Sequence, residues 1–439
     1  MFEDLLGISE AKFNAEIRGK NFFVGKSSSP LIHEALTWKD VNELVDTSAY
    51  RANRISLARE HERLDRRRYT ATSPSSRDGQ SARVLPSAVH KAMMEGFSLV
   101  IDEVHNYHPP SRRLATWLNN GLGERVTINS YVSWRSDKCF RTHWDDHDVF
   151  IIQTAGEKLW SVFEPTREHP VQRDVEYDFD FQDRGLVLRW EGLMRPGDVL
   201  YMPRGWWHHA SSTGNGSIHL TVGFSNRTTV DLVEYLALLA IREKALRRDL
   251  RRPTLADLER PERVAEEVAN LRAHLNQLLS DDFLGDFWKW HYRNNAGTYE
   301  TSNLPLSLSL EQFRAAKCKL QIANAGPFVA IEESGEECSL SLKGMTWVLQ
   351  KAASPVLKRL ASGDIISLPD LADATPDNTL DAEDIARLAF ELVNEGIVRI
   401  VDGAALSARL SGEGNERIGR KEGKGAEAPL AARPDPVFA

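Results

Sequence analysis

The stretch from residue 96 to residue 228 constrains the fold most, because it consists of short apolar segments separated by turn residues. Pro, Gly and Asp punctuate these segments, which cover residues 97–101, 126–134, 148–153, 159–163, 199–202 and 219–224. Short strands at regular spacing are typical of a β-sandwich or barrel. The sequence therefore predicts a double-layered or closed sheet at the centre of the protein.

Three residues of this stretch have the types and spacing of a metal site. His143 and Asp145 are two positions apart, so on a strand both side chains would point to one face. His208 follows much later, in the segment PRGWWH. Two imidazoles and one carboxylate hold one face of an Fe(II) octahedron and leave the other face open. The same ligand types also suit zinc with a bound water, and His209 is an alternative third ligand.

Two longer segments resemble the halves of a known catalytic core. HWDDHDVFIIQTAGEKLWSVF, from His143 to Phe163, and RPGDVLYMPRGWWHHASSTGNGSIHLTVGF, from Arg195 to Phe224, are similar to the JmjC/cupin core of the ribosomal oxygenases. The resemblance implies an α+β fold centred on a double-stranded β-helix, a jelly-roll barrel of the cupin type. It also implies a dioxygenase that uses Fe(II), 2-oxoglutarate as co-substrate and O2.

The resemblance assigns roles to individual residues. His143, Asp145 and His208 match the catalytic metal ligands, and Lys158 in GEKLW matches the cation that pairs with the distal carboxylate of 2-oxoglutarate. A buried carboxylate is costly unless it is paired, which a lysine at that position would achieve. Weaker correspondences concern two polar residues that could hydrogen-bond the co-substrate, Asn129 and Thr221.

Residues around the metal ligands are candidates for contact with the substrate, although each could instead serve packing. They are Asp146, His147, Asp148 and Trp206. Strand alternation counted from Asp145 would place His147 on the same face. His219 is expected to line the barrel without binding the metal.

The resemblance implies that the enzyme hydroxylates an unactivated C–H bond of an amino-acid side chain in a protein or peptide. An arginine or histidine of a ribosomal protein is the first expectation, and the acidic residues near the site favour a basic substrate. Other possibilities stay open: a peptide natural product or free amino acid as substrate, N-methyl demethylation, or an inert barrel in a binding protein.

Changes in sequence texture predict five regions. They are an N-terminal extension packing on the barrel (1–95), the JmjC/cupin core (96–228), a helical domain (229–327), a winged-helix-like domain (328–408) and a disordered tail (409–439). In the helical domain apolar residues recur at helical spacing, at Val264, Val268, Leu271, Leu275 and Leu278. This surplus apolar surface and the resemblance favour a homodimer.

The winged-helix pattern rests on helices predicted over 346–361, 368–372 and 381–395, followed by a strand over 397–401. Asp381 is the predicted N-cap of the last helix. That helix carries five acidic residues and one arginine, Arg387, which disfavours nucleic acid as a direct target.

Composition adds the remaining expectations. The net charge of -8 disfavours a chain built mainly to bind phosphates, although residues 51–68 are locally basic. Cys139, Cys318 and Cys338 are far apart, which indicates a reducing compartment without disulfides. The sequence shows neither a signal-peptide pattern nor an apolar run long enough for a membrane, so we expect a cytoplasmic protein without membrane contact.

Overall fold

The computed structural model describes residues 1–47, 52–60, 62–73, 81–134, 140–172, 174, 185–250, 252–258, 261–295, 308–316, 318–322, 328–342, 345–373 and 380–401. The chain divides into two compact units, Met1–Asn226 and Arg227–Ala439. Cys139 and the tail predicted to be disordered, 409–439, lie outside the described residues.

The first unit is built from antiparallel strands in the predicted region and before it. The strands are β1 Phe23–Lys26, β2 Ile55–Arg59, β3 Glu62–Arg63, β4 Thr70–Ser73, β5 Ser81–Val84, β6 Ser98–Ile101, β7 Thr127–Ser133, β8 Asp148–Ala155, β9 Lys158–Phe163, β10 Leu188–Met194, β11 Asp198–Met202, β12 Trp207–Ser212 and β13 Ser217–Phe224. Eight of them form one sheet in the order β1-β11-β8-β13-β7-β6-β2-β3, and three form a second sheet in the order β10-β9-β12.

Helices and single turns connect and flank these strands. They are Phe2–Leu6, Glu10–Lys12, Phe13–Ile17 (a π-helical turn), Pro30–His33, Trp38–Asp46, Ala52–Arg54, Arg66–Arg68, Pro86–Met94, Val104–Asn106 and Pro109–Leu122.

The two sheets face each other across a common core. Strand β8 is buried on both faces over its first six residues, which explains the continuous apolar run at 149–152. Its inward residues Val149 and Ile151 pack with Trp160 and Val162 of β9 in one hydrophobic cluster. The chain crosses between the sheets four times, from β8 to β9, from β10 to β11, from β11 to β12 and from β12 to β13, while β9 and β10 pair within the small sheet. This arrangement is the expected jelly-roll barrel.

The N-terminal region contributes more than the packing layer predicted for residues 1–95. It does cover the outer face of the large sheet, where Phe13 contacts Phe150 and Tyr201. It also supplies strands to the sheet itself, because β1 pairs with β11 and β2 pairs with β6. These pairings satisfy backbone groups that would otherwise form exposed sheet edges.

A buried histidine of this unit makes stability depend on pH. His105 is 3% exposed and its Nδ1 accepts a hydrogen bond from the backbone N–H of Ile128 at 3.2 Å. Burial lowers the pKa of His105 from 6.5 to about 4. The unfolded chain therefore takes up a proton as the pH falls below 6.5 while the folded protein does not, so stability decreases as the pH falls from 6.5 towards 4.

We expect His105 to account for a loss of about 2 kcal/mol in unfolding free energy between pH 7 and pH 5. Urea unfolding measures the free energy of unfolding at the two pH values. The decrease from pH 7 to pH 5 should be about 2 kcal/mol smaller in His105→Gln than in the wild type. The exposed His33 provides the matched control, His33→Gln. An unchanged pH dependence in His105→Gln would contradict the assignment.

The second unit contains helices Thr229–Ala240, Leu255–Leu258, Pro261–Leu278, Phe283–Asn295, Leu310–Ala315, Lys351–Ala353 (a 3-10 turn), Ser354–Ala361, Leu368–Asp373 and Ala382–Asn394. Its strands are β14 Lys319–Ile322, β15 Ala330–Ser334, β16 Glu337–Leu342, β17 Met345–Gln350, β18 Ile366–Ser367 and β19 Val398–Ile400. They form two antiparallel sheets, ordered β18-β14-β19 and β15-β16-β17.

The last predicted helix is present as expected. Asp381 caps it by accepting hydrogen bonds from the backbone N–H groups of Glu383 and Asp384, both at 2.8 Å. The helix predicted over 346–361 is wrong in its first half, where β17 occupies Met345–Gln350. Trp347 and Leu349 are buried while Met345 and Val348 are exposed, so the segment alternates as a strand does.

The predicted apolar stripe lies on the helix Pro261–Leu278. Among its described members Val268 and Leu271 are each 49% exposed. Within the described ranges, no helix combines the length and the apolar character that crossing a membrane requires.

Candidate metal centre

The motif containing His143 and Asp145 lies just before β8, in an irregular segment, and the expectation of a regular strand there is wrong. A single antiparallel bridge joins His143 to His208 at the start of β12. The two residues exchange backbone hydrogen bonds of 3.1 and 2.8 Å, and the carbonyl of Asp145 accepts one from Gly205 N–H at 2.9 Å. These three bonds hold the two segments side by side, which brings residues far apart in sequence to one place.

The structure brings the three predicted ligands together. Potential ligand atoms of His143, Asp145 and His208 all lie within 4.8 Å of one another. Nε2 of His208 is 3.7 Å from Oδ2 of Asp145, and the two imidazole rings have centroids 4.4 Å apart. The cluster has the composition and the spacing of a two-histidine, one-carboxylate metal site.

Backbone carbonyls fix the orientation of both imidazoles. Nδ1 of His143 is 2.8 Å from the carbonyl oxygen of Arg141, and Nδ1 of His208 is 3.0 Å from that of Trp206. A carbonyl only accepts, so each Nδ1 carries the proton and donates it. Each Nε2 is then left with a lone pair directed into the cluster, as metal-binding histidines require.

The electrostatics at His208 and Asp145 favour metal binding. Burial and the neighbouring His143 lower the pKa of His208 to about 4, so its imidazole is neutral at pH 7. Burial alone would raise the pKa of Asp145, but the adjacent His208 and His143 lower it overall, which keeps the carboxylate ionised. Neutral imidazoles and an ionised carboxylate are the forms that bind a metal ion.

His209, the alternative third ligand, lies outside the cluster of ligand atoms. Its Nδ1 is 3.1 Å from the hydroxyl of Thr142, and its ring packs against Phe163. Alternation along β12 separates it from His208. The geometry thus favours His208.

A pocket leads from this cluster into the barrel, and Lys158 lies in it. Lys158 is the first residue of β9 and is 2% exposed. Its Nζ donates a hydrogen bond to Ser133 Oγ at 3.2 Å. Val162 of β9 is the register partner of His208. Lys158 is four residues from Val162, so the two lie roughly 13 Å apart along the strand.

A glycine turn fixes the place where Lys158 enters the barrel. Gly156 has φ of +62°, and a Cβ there would lie 1.8 Å from the carbonyl oxygen of Gly216. Only glycine fits such a position. The turn from β8 into β9 is therefore tight, and Lys158 follows it directly as the first residue of β9.

Asn129 and Thr221 also line the pocket, and they are direct register partners on β7 and β13. The side-chain oxygen of Asn129 accepts a hydrogen bond from Glu103 N–H at 2.9 Å. Sequence reasoning missed the apolar and aromatic walls of the pocket. Counting every second residue from Asn129 and Lys158 would have found Tyr131 and Trp160. The apolar and aromatic residues that line the pocket are Tyr131, Phe140, Val149, Ile151, Trp160 and Ala210.

Of the candidate substrate contacts, His147 lines the pocket. Its Nδ1 is 2.8 Å from the carboxylate of Asp146. Burial alone would lower the pKa of His147, but this hydrogen bond and the charge of Asp145 raise it overall. Gly223 makes room for the ring, since a Cβ there would lie 2.7 Å from His147.

Neither of the other two candidates lines the pocket. Asp148 is fully buried on the outer side of β8, where it accepts hydrogen bonds from Tyr201 (2.5 Å), Asn226 (2.6 Å) and the backbone N–H of Arg204 (3.0 Å). Trp206 packs in the hydrophobic cluster and against Phe22. Both placements indicate structural roles.

Comparison with known proteins agrees with this geometry. A model of the JmjC domain matches residues 104–232. Ribosomal oxygenase 2 of Mus musculus is 31% identical over 205 residues, which cover 42% of this chain and 43% of that protein. The bifunctional lysine-specific demethylase and histidyl-hydroxylase NO66 of Drosophila persimilis is 29% identical over 163 residues, 37% of this chain and 23% of that protein. The chain thus spans less than half the length of the curated relatives it matches.

Solved structures extend the likeness of the fold. The crystal structure of Escherichia coli ribosomal oxygenase YcfD matches with a TM-score of 0.54 at 17% identity and covers 90% of this chain and 98% of that one. A structure of the same protein in complex with cobalt and 2-oxoglutarate matches with a TM-score of 0.52. The chain therefore matches a JmjC domain over residues 104–232, has a cupin-type fold there, and is similar to the ribosomal oxygenases.

Proposed function

We propose that this protein is an Fe(II)- and 2-oxoglutarate-dependent oxygenase that hydroxylates an amino-acid side chain of a protein or peptide. The observation that carries the proposal is one pocket with a histidine–aspartate–histidine cluster at one place and a buried lysine at another.

The residues present fit the metal. His143, Asp145 and His208 offer two imidazole nitrogens and a carboxylate oxygen within one small volume. The backbone hydrogen bonds at each Nδ1 leave each Nε2 as a donor atom for the metal. Three protein ligands leave coordination positions open, which suits Fe(II) in an oxygenase. A structural zinc site, by contrast, is usually closed by four protein ligands.

The residues present also fit 2-oxoglutarate. A dicarboxylate held at the metal by one end needs a cation for the other end inside the barrel, and Lys158 supplies it. Asn129 and Thr221 offer polar groups on the wall between. The structure of E. coli YcfD with cobalt and 2-oxoglutarate supports this pair of ligands for the fold.

The bound metal with 2-oxoglutarate and O2 supplies the oxidising chemistry, in which the co-substrate is decarboxylated to succinate and one oxygen atom enters the substrate C–H bond. The residues of this chain position and shield that chemistry. His143, Asp145 and His208 orient the metal, and Lys158 orients the co-substrate. Tyr131 and Trp160 keep water from the pocket wall.

The substrate enters beside His147, which lines the pocket. Asp145 lines the pocket as well, and the carboxylate of Asp146 lies 2.8 Å from Nδ1 of His147, so both negative charges favour a basic side chain such as arginine or histidine. The names of the relatives, ribosomal oxygenase and histidyl-hydroxylase, support a ribosomal protein as the carrier of that side chain.

Incubation of the purified protein with Fe(II), 2-oxoglutarate and peptides that tile basic ribosomal proteins tests this proposal. We expect one succinate for each peptide that becomes one oxygen atom heavier. Neither product should form when Fe(II) is chelated. Succinate release without any modified peptide would remove the ribosomal substrate. Absence of 2-oxoglutarate turnover under all conditions would contradict the oxygenase.

Demethylation is the second candidate, since one relative is named a lysine-specific demethylase as well as a histidyl-hydroxylase. Hydroxylation of an N-methyl carbon releases formaldehyde. A formaldehyde assay on N-methylated peptides therefore separates the two reactions.

Further proposals concern the rest of the chain. We propose that residues 229–327 form a helical dimerisation domain, since Val230, Val233 and Ile241 are more than half exposed. Residues 328–408 would form a winged-helix-like domain, supported by the three helices that precede β19. We further propose a cytoplasmic homodimer whose substrate is a peptide or protein, with no direct nucleic-acid or membrane target.

A further inference from the structure

A second polar side chain lies in the barrel close to Lys158. His219 is on β13, is 3% exposed, and lines the same pocket as Lys158 and Thr221. It is two residues from Thr221 along the strand, on the same face and towards Ser217, whose register partner is Ser133. Ser133 is also the residue that accepts the hydrogen bond from Lys158. His219 therefore lies at the lysine end of the pocket.

Aromatic neighbours fix the ring of His219. It stacks on Tyr131 with a centroid distance of 4.9 Å and an interplanar angle of 7°. Trp160 contacts it edge to face at 5.2 Å and 83°. A ring held between two aromatic walls has little freedom to turn, so the direction of its nitrogens is set before any ligand arrives.

The hydrogen bonding of His219 is incomplete. Its Nδ1 is buried and has no hydrogen-bond partner in the described part of the chain. Burial and the charge of Lys158 lower the pKa of His219 well below its ordinary value, so the ring is neutral and carries a single N–H. A buried donor without a partner is rarer than a buried acceptor without one. The proton therefore belongs on Nε2, through which the ring can reach the pocket.

Trp160 offers a second buried N–H group on the same side of the pocket. Its Nε1 is buried and, within the described ranges, lacks a partner. Lys158 has three N–H donors, whereas a carboxylate has about four lone-pair sites, so a lysine alone leaves part of a buried carboxylate unsatisfied. A neutral N–H donor completes the site without adding a second positive charge next to the lysine.

We propose that His219 is a second anchor for the distal carboxylate of the co-substrate, to which its Nε2–H donates a hydrogen bond beside Lys158. This inference rests on the proposed function, since it assumes that 2-oxoglutarate binds here. It makes His219 a residue that selects 2-oxo acids ending in a second carboxylate. It also explains why a polar ring occupies a position where an apolar residue would pack without an unpaired nitrogen.

Ligand binding in the absence of O2 tests the proposal without measuring activity. The full-length protein is loaded with Co(II) and titrated calorimetrically with 2-oxoglutarate, and separately with 2-oxopentanoate, in which a methyl group replaces the distal carboxylate. His219→Phe keeps a ring between Tyr131 and Trp160 but removes the donor. His219→Gln restores an N–H donor. Co(II) affinity and thermal unfolding are measured for each variant.

We expect His219→Phe to weaken 2-oxoglutarate binding by about 10- to 100-fold, as the loss of a hydrogen bond to a charged group predicts. Co(II) and 2-oxopentanoate affinities should stay as in the wild type, and His219→Gln should recover most of the lost affinity.

Two results would overturn the inference and leave the proposed function standing. One is wild-type 2-oxoglutarate affinity in His219→Phe. The other is an equal loss of 2-oxoglutarate and 2-oxopentanoate binding, which would make His219 a packing residue. If the Co(II)-loaded wild type binds no 2-oxoglutarate, the proposed function and this inference both fail.

Discussion

Asp145→Ala should reduce the affinity for Fe(II) or Co(II) by at least about 100-fold and abolish metal-dependent binding of 2-oxoglutarate. Asp145 is the only anionic member of the described cluster, and its carboxylate lies 3.7 Å from Nε2 of His208. Two neutral imidazoles alone compete poorly with water for a divalent cation. Calorimetric titration of the purified variants with Co(II) measures the effect directly.

The neighbouring carboxylate provides the matched control. Asp146 bonds to His147 and is not part of the ligand cluster. We expect Asp146→Ala to bind Co(II) within about threefold of the wild type and both metal-free variants to unfold within about 1 kcal/mol of it. Equal loss of metal in Asp145→Ala and Asp146→Ala would show that general negative charge, and not ligation, holds the ion.

Asp148→Ala should instead lower the unfolding free energy by about 3–5 kcal/mol. Asp148 is fully buried and accepts from the Tyr201 hydroxyl, the Asn226 amide and the backbone N–H of Arg204. Removal of the carboxylate leaves one buried and two part-buried donors without this acceptor. Urea unfolding at constant pH measures the loss.

A double-mutant cycle shows whether the network causes the effect. Tyr201→Phe removes one donor, so it should cost clearly less stability in the Asp148→Ala background than in the wild type. Under conditions where Asp148→Ala is folded, its Co(II) affinity should be that of the wild type. If Asp148→Ala lost Co(II) affinity without losing stability, Asp148 would belong to the metal site and its structural role would be wrong.

Residue types, spacing and the family resemblance together predicted much of the site. His143, Asp145 and His208 are the residues that the structure gathers, and Lys158, which only the resemblance indicated, is buried and lines the same pocket. Negative charge alone suggested Asp148 as a substrate contact, and its three hydrogen-bond donors come from segments that no local pattern connects to it.

Long-range pairing explains most of what sequence reasoning missed. The bridge between His143 and His208 replaces the expected regular strand, and it depends on a partner more than sixty residues away. The pairing of β1 with β11 likewise joins the N-terminal region to the barrel. Local sequence patterns do not identify such distant pairing partners.

The mistaken helix over 346–361 had a local signal. Pro355 lies in the first turn of the helix Ser354–Ala361, where proline is tolerated because its missing N–H would have no partner. A helix that began at residue 346 would have placed this proline in its interior. The alternating burial of Met345–Gln350 then identifies the preceding segment as a strand.

An anaerobic titration with Fe(II) and then 2-oxoglutarate, followed by visible absorption, shows directly whether this pocket binds the two together. A metal-to-ligand charge-transfer band should appear only when both are present, and it should be lost in Asp145→Ala and in Lys158→Ala. Full occupancy with Fe(II) but no band at saturating 2-oxoglutarate would mean that the protein is not a 2-oxoglutarate-dependent oxygenase.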